Sequence, residues 1–367
     1  MTAADASYAR SPQWRAGRFR NRLPRHDGPL WRMLAEFWLG RSRHRRPTAP
    51  MPIEPRTAAD YAIPPATGLR VTWLGHATTL VELGEARLLF DPVWAERASF
   101  SQAVGPRRFH PPPLPLRELP PLDAVVLSHD HFDHLDAGTV RALARHPATR
   151  AARWIAPLGV GARLRAWGVA AQDLTELDWW EAAEVRGLTL TATPARHFSG
   201  RGLTSQDRTL WCGWVVVGAR HRVYYAGDTA LHDEFAEIGA RLGPFDLTMI
   251  EVGAYDALWP DVHLGPEQAV VAHRRVRGDV LLPIHWGTFD LAPHGWTEPI
   301  ERTLAAAART GVRVATPRPG ERIEPAAVGS GPPARWWPAL PWRTAAEAPV
   351  HSPGVARPPE ELALGTA

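Results

Sequence analysis

Short apolar runs rich in Val, Leu, Ile and Thr recur along this chain, broken by Gly, Pro, Asp or His. Arg70–Gly75, Thr78–Leu83 and Ala86–Phe90 have the length and composition of strands. Tight turns at Gly75 and Gly84 would join them into a meander at an antiparallel sheet edge. Asp123–Ser128 is apolar and β-branched, the pattern of a buried strand. Arg153–Ala156, Leu188–Thr193, Thr209–Val217, Arg222–Tyr225, Asp246–Glu251 and Val280–His285 extend the series. Helical segments fall between them. Asp136 is placed to cap a helix running to Arg145, and others are expected over Gly161–Trp167, over Asp233–Arg241, and from Pro266 to about Val276. This alternation predicts an α/β fold with helices covering the outside of a sheet.

Three stretches escape the pattern. Residues 95–121 have no regular period, and Gly105–Pro113 is Pro-rich and extended. A loop of this length inside a compact domain usually has a function. It can wall a cleft, with Arg107 or Arg108 reaching a phosphate, or simply cover the surface. Residues 1–66 form a basic N-terminal segment whose Pro- and Ala-rich end, 51–66, reads as a linker. Within it Leu30, Met33, Leu34, Phe37 and Trp38 follow the spacing of an amphipathic helix. Arg41, Arg43, Arg45 and Arg46 come directly after. Such a helix can pack on the body, lie on an anionic lipid surface or touch nucleic acid. The body spans 67–324. Residues 325–367 form a Pro- and Ala-rich tail in which Trp336, Trp337 and Trp342 can dock on it.

Charge sharpens this division. The chain has 367 residues and a net charge of +4, yet residues 1–50 alone carry 11 arginines against three acidic residues, a net +8. The rest is acidic, which argues against a long nucleic-acid track. Every basic residue is Arg. The content of 45% hydrophobic and 22% charged residues is that of a globular protein. With no apolar run long enough for a membrane span and no signal-like N-terminus, a cytoplasmic protein is expected, with peripheral contact at the inner membrane face through the N-terminal helix. The single cysteine, Cys212, excludes an intrachain disulfide and sits in a strand-like run as a small buried residue.

The chemistry concentrates just after the strand at Asp123–Ser128. The loop Ser128-His-Asp-His-Phe-Asp-His-Leu135 contains the pattern His-x-His-x-Asp-His. Imidazole and carboxylate suit Zn²⁺ and its first-row neighbours. His129 and His131, two apart in extended backbone, project to one side and can share one ion. Asp133 and His134 are adjacent and diverge, so they can serve a second. Further polar residues stand at later strand ends: His197, Asp228 and His285. His76 follows Gly75, where it can line the site or bond to backbone.

The loop resembles that of the metallo-β-lactamase superfamily of metal-dependent hydrolases. The resemblance implies an αββα sandwich made of two similar halves, with 67–324 as the hydrolase domain. It assigns His129, His131 and His197 to one metal, and Asp133, His134 and His285 to the other, with Asp228 bridging. Two zinc ions per chain are expected, Mn²⁺ or Fe²⁺ being the alternatives, and they hold a hydroxide that Asp133 helps to orient. Asp228 stands where antibiotic-degrading members commonly have Cys, which disfavours β-lactam hydrolysis.

Other stretches are similar to one branch, the N-acylphosphatidylethanolamine-hydrolysing phospholipase D-like proteins. They are Gly17-Arg-Phe-Arg-Asn21, Trp73-Leu-Gly-His-Ala-Thr78, Asp91-Pro-Val-Trp94, Glu96-Arg-Ala-Ser99, Gly105-Pro-Arg107, Arg208-Thr-Leu-Trp211, Gly253-Ala-Tyr255 and Ile284-His-Trp-Gly-Thr-Phe289. The likeness covers residues 15–300. Arg22 stands where the branch usually has Pro. This branch implies phospholipase D-type hydrolysis of a phospholipid or small phosphodiester, no nucleic-acid partner, and a homodimer. His263 would act near the phosphate as a catalytic or substrate-binding group, and Tyr255 would bind substrate. The alternative is a lactonase of the ascorbate-lactone type on the same fold.

Overall fold

A computed structural model describes residues 8–25, 42–202 and 204–356. The amphipathic segment expected at 30–39 lies outside the described residues. No helix among them is long and apolar enough to cross a membrane.

After a small hairpin of β1 (Trp14–Arg15) and β2 (Arg18–Phe19), the chain builds two seven-stranded sheets. The first begins with the expected meander: β3 (Leu69–Gly75), β4 (Thr78–Leu83) and β5 (Ala86–Phe90) pair antiparallel. From β5 onward β6 (Ala124–Val126), β7 (Arg153–Pro157) and β8 (Leu174–Leu177) pair in parallel. Helices α1 (Ala137–Leu143) and α2 (Gly161–Ala166) lie between these strands in sequence. Asp136 caps α1 by accepting from the Thr139 amide.

The second sheet repeats this plan. β9 (Ala182–Val185), β10 (Leu188–Thr193), β11 (Gly213–Val217) and β12 (Arg222–Tyr225) are antiparallel neighbours. β13 (Phe245–Glu251), β14 (Gly278–Ile284) and β15 (Arg313–Val314) then add in parallel. They alternate in sequence with α3 (Glu234–Leu242), α4 (Pro266–Arg275) and α5 (Glu298–Thr310). β16 (Arg322–Ile323) returns to edge the first sheet beside β3.

Period-two alternation explains the layers. In the first sheet Val71, Val81, Leu88 and Val126 face one way and join residues of the second sheet, including Leu190, Trp214 and Tyr225, in one core. Their neighbours Leu80, Leu89 and Val125 face the other way and pack with Val140, Leu143 and Leu164 of α1 and α2. The result is the expected αββα sandwich. Its parallel strands β5, β6, β12, β13 and β14 deliver Asp91, the His129–His134 loop, Asp228, Glu251 and His285 just past their C-terminal ends, where α/β folds build sites.

Several elements differ from expectation. β8, β9, β15 and β16 are short and weakly periodic in sequence, α5 is a further helix that buries Ile300, Thr303, Leu304 and Ala307 along one face, and β11 starts at Gly213 rather than Thr209. Residues 51–66, read as a linker, are tied to the body. The Glu54 amide donates to Pro319, Arg56 to Pro113, and Tyr61 is buried with its hydroxyl on Thr72.

The Pro-rich tail also docks. Trp336 stacks on Trp286 (centroids 5.4 Å apart), which stacks on Trp73 of β3. Trp337 is buried and donates to Glu301 Oε1 over 2.7 Å. Trp337→Ala should therefore lower the unfolding free energy by about 3 kcal/mol in urea melts; a change within error would place the tail outside the cooperative unit.

Candidate metal centre

The loop after β6 is held from outside. Asp130 accepts from Arg163 (2.9 Å) and from the Gly200 amide (2.7 Å), and Arg201 donates to the carbonyls of Asp130 and Leu135. Arg201 also lies 3.9 Å over the Phe132 ring. Both ends of the loop are thus pinned while its imidazoles turn inward.

Hydrogen bonds at the far side of each ring decide which nitrogen carries the lone pair. The Ser128 hydroxyl donates to Asp91, so Ser128 Oγ accepts from His129 Nδ1–H (2.9 Å), leaving His129 Nε2 bare. His134 Nδ1–H donates to Asp91 Oδ2 (2.7 Å) and His197 Nδ1–H to the Val262 carbonyl (2.7 Å). The Nε2 atoms of His129 and His197 are therefore acceptors facing the interior, and His134 has only its Nε2 left to present there. Such outer bonds fix metal-binding imidazoles in general.

These acceptors gather in two sets. His129 Nε2, His131 Nδ1, His197 Nε2 and one carboxylate oxygen of Asp228 form the first, with separations of 2.9, 3.2, 3.7 and 3.7 Å. Asp133, His134 and His285 form the second, joined by His76. There His285 Nε2 is 3.3 Å from both Asp133 Oδ2 and Asp228 Oδ2. Four donors tetrahedrally around one ion, at zinc's usual bond lengths, lie roughly 3.3–3.6 Å apart. His134 Nε2 and Asp228 Oδ1 are 3.1 Å apart yet misaligned for a hydrogen bond, and both atoms, like His285 Nε2, are buried without a partner. A cation between the groups would satisfy all three, so the residues fit a metal pair with Asp228 shared.

The charge pattern agrees. Burial pushes the His129, His131 and His197 imidazoles below their usual range, keeping them neutral. Burial opposes ionisation of Asp133 and Asp228 too, but the charged histidines beside them outweigh it and hold both carboxyls well below the ordinary value. His285 is driven up to about 10 because Asp228 and Asp133 overcome its desolvation, and His134 rises for the same reason.

Four residues at the site were not identified from sequence as part of it, although three stand at strand ends. Asp91, after β5, accepts from the Ser128 amide, the Ser128 hydroxyl, His134 and Tyr225. Glu251 ends β13; it accepts from His263 Nδ1 (2.7 Å) and from the Thr229 amide beside Asp228 (2.5 Å). Ser128 is one of the other pair. Asn21 comes from the distant Gly17–Asn21 stretch: it donates to the His197 carbonyl (2.7 Å) and accepts from the His197 amide and Trp211.

His76, left between two roles, puts Nε2 3.0 Å from Asp133 Oδ2. Its backbone and that of Asp91 and His285 are left-handed, a conformation costing about 1–3 kcal/mol per residue. Cross-links hold it: His285 N donates to His76 O, and His76 N to Thr288 Oγ1. Gly253 permits this approach, since a Cβ there would stand 2.1 Å from the His285 carbonyl oxygen.

Other expected residues are placed less directly. Tyr255 is buried, its hydroxyl donating to Glu298 and its ring stacked on His294, so that hydroxyl is already engaged. Arg108 donates to the carbonyls of Ala95 and Val93, and Arg107 pairs with Glu96. Both line a cavity of about 530 Å³ with Trp94 and Phe109, which includes none of the clustered metal-type residues. Arg22, standing in place of Pro, pairs with Glu234 on α3.

A family model described as a beta-lactamase superfamily domain matches residues 86–286. The chain belongs to the metallo-β-lactamase superfamily. This metal-dependent hydrolase is 48% identical to an uncharacterized protein of Mycobacterium tuberculosis, over 86% of its own length and 85% of the relative's. It is 42% identical to N-acyl-phosphatidylethanolamine-hydrolyzing phospholipase D 1 of Caenorhabditis elegans, over 68% of its length and 70% of that protein's. The fold recurs in an isothiocyanate hydrolase from Delia radicum gut bacteria, with a TM-score of 0.55, 20% identity, and coverage of 70% of this chain and 98% of that one.

Two outcomes follow for this superfamily member. Asp91→Asn should weaken zinc affinity by about 10- to 100-fold, read by competition with a chromophoric chelator. Since His134 and His285 are raised, the metal-free protein holds protons on them at neutral pH. Zinc loading should release at least about one proton per chain into a weakly buffered indicator solution, and affinity should rise with pH toward 10. Proton-neutral loading would refute this charge assignment.

Proposed function

We propose that this chain is a phosphodiesterase that cleaves N-acylphosphatidylethanolamine, or a related phospholipid, in the phospholipase D manner. In this reading His129, His131, His197 and Asp228 hold one zinc ion, and Asp133, His134 and His285 hold a second, with Asp228 common to both. The observation that carries it is Asp228 itself, whose Oδ1 faces His134 while Oδ2 faces His129, His197 and His285. The similarity to the nematode phospholipase D supports the substrate class. The oxygen and nitrogen donors would also accept Mn²⁺ or Fe²⁺.

When bound, such an ion pair brings the pKa of water near neutrality and offsets charge on the phosphoryl oxygens. The chain's own groups do the rest. Asp133 Oδ2, steadied by His76, is the acceptor placed to orient the attacking water. His263 is clamped through Nδ1 by buried Glu251, and its ring lies 5.2 and 5.3 Å from those of His197 and His285. Its other ring nitrogen can bond the phosphate or the departing alcohol. Water adds to phosphorus, the bond to the ethanolamide oxygen breaks, and that oxygen takes a proton. Phosphatidic acid and N-acylethanolamine are released.

The test is product release from N-acylphosphatidylethanolamine vesicles by zinc-loaded protein. Phosphatidic acid should appear with the native chain and fall by about a hundredfold or more with Asp228→Asn. A preparation with two ions per chain that opens a lactone but cleaves no diester would overturn the substrate assignment.

A further inference from the structure

The loop between β5 and β6 projects an apolar tip. Arg97 and Arg107 form an antiparallel bridge at its neck, reinforced by Ala98 N donating to Pro106 O and Arg108 N to Glu96 O. Inside the loop, Arg97 donates to the carbonyls of Gln102 (3.1 Å) and Gly105 (2.6 Å), and its own amide and carbonyl bond the Gln102 side chain. The loop is therefore closed on itself by polar contacts. Its tip nonetheless displays Phe100 at 80% exposure and Val104 at 53%, two of the three exposed large hydrophobic residues among those described. A loop with this much internal bonding gains nothing for its own fold by holding a phenyl ring in water.

We infer that this tip inserts into the surface of an anionic phospholipid bilayer. Three observations choose that occupant. The loop carries a net positive charge, residues 96–108 holding Arg97, Arg107 and Arg108 against Glu96, and at its neck, below the apolar tip, the exposed Arg107–Glu96 pair leaves Arg107 open to an anionic headgroup. The apolar area is two side chains, far below the roughly 800 Å² per partner of a stable protein interface, but sufficient to wedge between headgroups. Finally, the Phe100 ring lies 6.5 Å from that of Phe132, which stands between His131 and Asp133. The tip thus stands beside the loop that carries His129–His134, and a bilayer that receives it would bring its phosphodiesters close to those residues. This last step rests on the lipid reading of the site; the insertion itself does not.

The experiment uses the full-length chain and vesicles of phosphatidylcholine with phosphatidylglycerol, which contain no N-acylated lipid and require no turnover. Sedimentation should show binding that falls at least about tenfold in Phe100→Asp/Val104→Asp. Hydrolysis of a soluble diester, bis-p-nitrophenyl phosphate, should be unchanged in that variant. Because Cys212 is buried, an environment-sensitive thiol label on Val104→Cys reports from the tip alone and should shift to the blue on these vesicles. Undiminished binding of the double variant, or a label indifferent to vesicles, overturns the proposal. Loss of binding in a protein that cleaves no diester leaves the tip assignment standing while the proposed activity fails.

Discussion

A single buried carboxylate ties this molecule's two sheets to its chemistry. Asp91 leaves the end of β5 in the first sheet, and Tyr225, at the end of β12 in the second, donates its hydroxyl to Asp91 Oδ2 over 2.6 Å. The same carboxylate receives the amide and hydroxyl of Ser128 and the Nδ1–H of His134. Removing a charge so deeply from water is costly unless its lone pairs are filled, and here four donors fill them. The sheets therefore cannot shift against each other at this edge without stripping Asp91 of a partner, and the orientation of two candidate ligands is set by the same contact.

From Asp91 outward, the site is a problem of tautomers and charge. His129, His134 and His197 each have one nitrogen committed to a neighbour outside the cluster, so the other can only present a lone pair or take up a proton. Three rings stay neutral through desolvation, whereas His134 and His285 acquire charge from the two acids between them. A proton and a metal ion would compete for one electrostatic niche. The opposite charges offset one another, so that many acidic and basic groups share a buried space, whereas Glu251 is pushed upward by burial although His263 stands against it.

Much of this was legible in the sequence, for local reasons. Strands such as Leu188–Thr193 and Arg222–Tyr225 carry their own alternation and turn signals. A cluster as dense in imidazole and carboxylate as His129–His134 points to metal binding by its donor chemistry alone. His197, Asp228 and His285 follow from their positions at strand ends once the family is recognised. What escaped is what depends on tertiary contact. Asp91 precedes a Pro and reads as a turn residue; only the fold brings Tyr225 and His134 to it. Glu251 looks like the polar end of a strand. β8 and β9 are half-exposed and weakly periodic, so their pairing rather than their composition makes them strands. Residues 51–66 have the composition of a spacer, yet scattered backbone bonds fasten them down.

The bracket that Asn21 forms around His197 bears on where this catalytic unit begins. A residue far outside the matched family region supplies both hydrogen bonds that hold the His197 backbone, and it shares an oxygen with Trp211. Trimming the chain to the region that family likeness delimits would preserve every histidine and aspartate of the cluster except His76. It would still leave the loop bearing His197 without its brace. The functional module is thus wider than its recognisable core, and Asn21 belongs to its architecture.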